Sequence, residues 1–318
     1  MIARPPRRRL RSGSARTPRR RAAAGTPHAG ELLAETLRVR WRTSLKHLRS
    51  TRAHFSEKAV HDLRVATRRL LAAADIVLAI MPDQELLRRR RRLKRQVDIF
   101  DALRDTQVQI LALEELVPTH PAAVPYLTML RVRERALVKR TRTRLRTMKP
   151  AVMGRTVALL RRGVLDLGAA APVRESLRAA MIGSAGTAFA RCVQLLRAVD
   201  PDRTQTIHGL RLAFKRFRYR MEALAPLTGT IGPAELKRMN AYQVRMGDVQ
   251  DAQVLVASFN EFVLERPPIR RGPLRAVQME LLRRRTAAVG EFLRGADELH
   301  TFWRPLMPAP LAAKRTAG

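Results

Sequence analysis

A chain of 318 residues that is 46% hydrophobic can bury one large core or two of ordinary size, which excludes a wholly disordered protein. Its 63 basic residues against 27 acidic ones give a formal charge of +36, so a polyanionic partner is implied; charge alone does not rank nucleic acid, an anionic membrane surface and inorganic polyphosphate. A single cysteine, Cys192, excludes an intramolecular disulfide framework and any cysteine-built zinc site, and suits a reducing cytoplasm.

Residues 1–28 hold nine arginines, four prolines and no acid, which reads as a disordered basic arm able to meet nucleic acid through its backbone phosphates. The same composition is shared by organelle transit peptides. Beyond the arm no stretch of about 18 residues reads as continuously apolar, so no membrane insertion is expected.

From Glu31 onward apolar residues recur every three or four positions, and no alternating strand pattern interrupts them. The expected fold is all-α. Pro82, Pro118, Pro150, Pro172, Pro201, Pro226 with Gly229, Pro267 and Pro305 divide it into helices at roughly 31–49, 57–80, 84–116, 123–148, 175–198, 204–225, 233–264 and 273–295.

The first four and last four helices match in length, and their sequences repeat. VHDLRVATRRL from Val60 aligns with IHGLRLAFKRF from Ile207 at an offset of 147, and ALRDTQV ending at Val108 aligns with DVQDAQV ending at Val254 at an offset of 146. Two pseudo-symmetric four-helix halves forming one compact helical domain over 29–305 are therefore expected. Repeat 1 covers about 31–149, a connector 150–172 and repeat 2 about 173–305, with a flexible tail at 306–318.

At 100° per residue, Leu63, Ala66, Leu70, Ala74 and Val77 share one arc of the second helix, as do Leu210, Ala213, Phe217, Met221 and Leu224 of its counterpart; this is the expected core face. Opposite them stand His61, Arg64 and Arg68 in the first copy, and His208, Arg211, Lys215, Arg218 and Tyr219 in the second. Such a ladder places donors roughly 5 Å apart, and arginine's planar fork grips phosphate oxygens with paired charge-assisted hydrogen bonds. Asp75 and Glu222, at equivalent positions, are placed to orient neighbouring guanidinium groups.

A second basic run lies on the next helices, with Arg88, Arg91, Arg92 and Arg95 in the first copy and Lys237 and Arg238 in the second. Asp105 and Asp251 follow at equivalent positions and suggest carboxylates that orient ladder arginines. The two histidines lack companions with metal-ligand spacing, so each is read as a donor to phosphate whose pKa a bound polyanion would raise.

His61-x-x-Arg64-x-x-x-Arg68-Arg69 and His208-x-x-Arg211-x-x-x-Lys215-Arg216, each followed by a helix carrying Leu-Arg-Asp or Val-Gln-Asp, resemble the CHAD domain, the conserved histidine α-helical domain, over about residues 31–305. The resemblance implies a helical bundle of two pseudo-symmetric halves whose basic groove holds inorganic polyphosphate, in relatives that accompany polyphosphate granules. It adds Arg69 and Arg216 to the ligand-contacting set, although both lie on the flank of the ladder. The first copy departs from the pattern, with Asp101 where the second has Gly247, and Leu71 and Ala72 where the second has Arg218 and Tyr219.

The alternative is a nonspecific nucleic-acid binder, but only 4% of residues are aromatic and only Tyr219 stands in a ladder, which is poor provision for stacking bases. No enzyme is expected: metal-holding carboxylates do not converge on the basic faces, and no glycine loop that cradles phosphate precedes a helix. No catalytic residue, metal or cofactor is assigned.

Overall fold

The computed structural model describes residues 28–303, apart from 170, 230 and 268–270. The basic arm, except His28, and the tail lie outside them. The described residues form ten α-helices and no strand: α1 (Ala29–Ala53), α2 (Glu57–Ile80), α3 (Gln84–Asp98), α4 (Asp101–Leu116), α5 (Val124–Thr147), α6 (Pro150–Ala169), α7 (Ala171–Arg197), α8 (Thr204–Thr228), α9 (Pro233–Leu264) and α10 (Leu274–Arg294).

Local sequence explains most of the boundaries. The Nδ1 of His28 accepts from the Glu31 backbone N–H while the Glu31 carboxylate accepts from that of His28, a reciprocal cap that starts α1. Ser56 and Asp83 cap α2 and α3 through the backbone N–H groups of Ala59 and Leu86. Gly229, at φ 63°, adopts the left-handed conformation that closes α8. That helix runs past Pro226, because a proline in the last turn forfeits a single backbone bond.

Three elements differ from the sequence reading. The helix expected over 84–116 is two helices, broken at Ile99 and Phe100, where the Phe100 ring is drawn fully into the core. The expected connector is itself a helix, α6, packed on α1 through Met153, Val157, Leu160 and Val164. Finally, α7 contains an 18-residue window with a mean hydropathy of 1.2, long and apolar enough to cross a membrane by length and composition. Its alanines raise that mean without forming an unbroken apolar run. Here its Leu177, Met181, Ala185 and Cys192 pack into the bundle.

The two repeats interlock. In the larger core, α1, α2, α7 and α8 pack together, with α1 against α8 and α2 against α7 in the crossed pairs expected of a pseudo-two-fold arrangement. Every core-face residue expected on α2 and α8 is buried. A smaller core joins the α4–α5 hairpin to the α9–α10 hairpin. There Tyr126 meets Phe259 edge-to-face at 5.1 Å and donates to the Ser258 hydroxyl at 2.8 Å.

Candidate polyanion groove

Because α2 and α8 are in contact and α4 meets α9, the cationic faces of the two repeats line opposite walls of one cleft. Its main cavity, of about 530 Å³, is lined by His61, Arg64, Arg68 and Arg69 from α2, by Arg211, Lys215, Arg218 and Tyr219 from α8, and by groups of α4 and α9. A deeper cavity of about 210 Å³ adds Asp101, Gln109, His208 and Gln250.

The α2 wall is partly neutralised by a carboxylate of its own repeat. Asp101, in the first turn of α4, accepts at one carboxylate oxygen from Arg64 Nη2 at 2.7 Å and from Arg68 Nη2 at 2.8 Å. Arg64 is only 7% exposed, and its Nε has no partner among the described residues. On the α8 wall the matching position is Gly247. The Nε of Arg211 and the Nδ1 of His208 are buried there without hydrogen-bond partners.

Lys215 closes the cationic centre. Burial, then Arg68, Arg211 and Arg64, push its pKa down to about 7, while Asp101 opposes them. His61 is held below its ordinary value by burial and then by Arg104 and Arg64. Asp105, Asp248 and Asp251 are all shifted upward, chiefly by burial. Asp105 and Asp251 thus border the ladder, but neither ion-pairs with Arg64, Arg68 or Arg211, so the carboxylate that orients the first ladder is Asp101.

Glu222 and Asp75 do orient guanidinium groups. Glu222 holds Arg69 at 2.7 Å and Arg218 at 3.2 Å, and Asp75 holds Arg90 through two bonds of 2.6 Å. Arg218, only 6% exposed, also donates to Gln243 and lies over the Tyr219 ring at 4.7 Å, and the ring itself is buried. Tyr219 is therefore covered rather than presented.

The second basic run divides. Arg88, Arg91, Arg92 and Arg95 point to solvent on the outer face of α3, with Arg88 paired to Glu85, whereas Arg90 and Lys94 of the same helix reach the cleft. The arginine stripe expected to meet a ligand thus lies on the face of α3 turned away from the cleft. Lys237 is exposed, and Arg238 is engaged by Glu235, Glu298 and the Phe302 ring. Arg216 borders the cleft at its α3 end. Arg104, one turn into α4, also lines the main cavity, and only its place just before the repeated Asp105 could have drawn attention to it.

The chain matches the CHAD domain model over residues 35–260, and it belongs to that family, which is associated with polyphosphate binding. Its fold is similar to the crystal structure of the CHAD domain from the plant Ricinus communis, at 15% identity and a TM-score of 0.61, covering 86% of this chain and 90% of that one. It is also similar to PptA from Streptomyces chartreusis, at 18% identity and a TM-score of 0.57, covering 85% of this chain and all of that one. No curated protein sequence matches it.

Proposed function

We propose that this protein binds inorganic polyphosphate along the cleft between α2 and α8, as a binder without catalytic function, and that it serves in the cytoplasm at polyphosphate granules. The observation that carries the reading is the meeting of two repeat-derived cationic ladders across one cleft, in which Arg211 and His208 have no carboxylate partner among the described residues. A chain of phosphate oxygens supplies anionic acceptors to both walls at once. Family membership points the same way.

Nucleic acid fits the cleft less well. The one ladder aromatic, Tyr219, is buried beneath Arg218 and offers no face on which to stack a base. Nonspecific backbone contact through the basic arm stays compatible with polyphosphate in the cleft.

The test is a competition at physiological salt, titrating long-chain polyphosphate against labelled single- and double-stranded DNA for the wild type and for His208→Ala/Arg211→Ala. Polyphosphate preference that drops by about tenfold or more in the variant supports the proposal. Equal affinity for all polyanions, unaffected by the variant, would reduce the cleft to an ordinary basic surface. Release of orthophosphate from polyphosphate with magnesium or manganese would overturn the binder assignment.

A further inference from the structure

Of the differences between the two walls of the cleft, one changes a charge beside the ladder arginines. On α9, Gly247 offers Arg211 no carboxylate, although it lies beside it: a Cβ built there would stand 3.8 Å from the Arg211 Nε. On α4 the equivalent residue is Asp101, and a single oxygen of its carboxylate receives both Arg64 and Arg68. An anionic oxygen shared between two guanidinium groups is the arrangement that a phosphate oxygen of a bound chain would adopt.

We propose that Asp101 is a built-in competitor for the ligand, occupying the α2 wall while the α8 wall stays open. This inference rests on the polyphosphate reading above. A short polyphosphate engages Arg211, His208 and Lys215 without disturbing Asp101. A longer chain reaches Arg64 and Arg68 only by displacing the carboxylate. Displacement is feasible because the Asp101 side chain is 37% exposed and can turn to water, and because its place in the first turn of α4 keeps it beside the positive end of that helix. Asp101 thereby sets how much chain length the cleft rewards.

The variants Asp101→Asn and Asp101→Gly test this, with tripolyphosphate and long-chain polyphosphate titrated over a range of salt concentrations. Asp101→Gly restores the residue of the other repeat. It is expected to bind long chains about tenfold more tightly, with a salt dependence steeper by about one to two released counterions, and to change tripolyphosphate affinity by less than about twofold. Asp101→Asn keeps the side-chain volume and the helix start, and should move affinity in the same direction by less. Urea midpoints for both variants separate a binding effect from a weakened α4.

Weaker long-chain binding in both variants would overturn the proposal and make Asp101 a residue that positions the arginines. Unchanged affinity and salt slope would also overturn it. If neither the wild type nor the variants bind polyphosphate at all, the polyphosphate reading falls, and this inference with it.

Discussion

Arg69 of α2 and Glu222 of α8 form an ion pair of 2.7 Å across the boundary between the two repeats, and the same carboxylate holds Arg218 and faces Arg40 at 3.9 Å. Glu222 is nearly enclosed, with 9% of its side chain exposed. Removing one partner of a buried pair leaves the other charge uncompensated, a loss of about 3–5 kcal/mol for a well-buried pair. Because Arg69 is 45% exposed and screened, Glu222→Gln is expected to cost less, about 2–3 kcal/mol. Urea unfolding at pH 7 and constant salt measures it.

Lys215 couples the site to pH. Its pKa of about 7 in the free protein lies below the ordinary 10.5, and a bound polyanion pulls it back up. Affinity is therefore highest below pH 7 and falls as pH rises from about 7 to the pKa of the complex. His61, shifted downward, adds protonation-linked binding at still lower pH, and Asp105, Asp248 and Asp251, shifted upward, lose their repulsive charge in the same direction. Calorimetric titration of polyphosphate from pH 6 to pH 9 should show proton uptake above pH 7, which Lys215→Met removes.

The same shift predicts a conflict between stability and binding. A lysine whose folded pKa is depressed destabilises the native state below that pKa, and the penalty is relieved as pH rises from about 7 toward 10.5. At pH 6.5, Lys215→Met should be more stable than the wild type by about 1–3 kcal/mol while binding polyphosphate more weakly. Thermal denaturation with and without ligand reads both effects: the variant melts higher alone and gains less on ligand addition.

The two faces of α3 should behave differently. Arg91, Arg92 and Arg95 face solvent, so replacing all three with alanine is expected to change groove affinity by less than about threefold, through the long-range field alone. Arg90→Ala and Lys94→Ala, on the cleft side, should each weaken long-chain binding by about three- to tenfold. Equal losses from the two sets would mean that the ligand wraps the outside of the bundle.

Phe259, fully buried between the α4–α5 and α9–α10 hairpins, tests whether the second core holds the repeats together. Phe259→Ala should cost about 3–5 kcal/mol in urea unfolding. Since α4 also carries Arg104, which lines the main cavity, the variant is expected to lower polyphosphate affinity without touching a ladder residue.

The helical class, the duplication and the inward faces of α2 and α8 were legible because each rests on a pattern of spacing, and spacing is local. Leu63, Leu70, Leu210 and Phe217 announce a core whatever they pack against. The break between α3 and α4 was not legible: it has no proline or glycine, and the burial of Phe100 that makes it depends on helices far along the chain. Helix α6 was obscured by the prolines that bound it. Pro150 and Pro172 read as the two ends of a connector, yet Pro150 opens the helix, and Gly163 and Gly154 within it are the places where the Met81 and Trp41 side chains press against its surface. On α3, four outward arginines outnumbered the two cationic residues facing the cleft, and only the position of α2 distinguishes the faces. Asp101 was visible as a departure from the repeat, but its hold on Arg64 and Arg68 needs the break at Phe100 to bring it beneath them.

The crossed packing of α1 on α8 and α2 on α7 means that neither repeat closes a core or a cleft by itself. A single repeat of this kind could build the same cleft only as a homodimer, and its two walls would then be chemically identical by symmetry. Joining both copies in one chain removes that constraint. Only in the fused molecule can one wall carry aspartate where the other carries glycine, so the ligand meets a cleft with a direction.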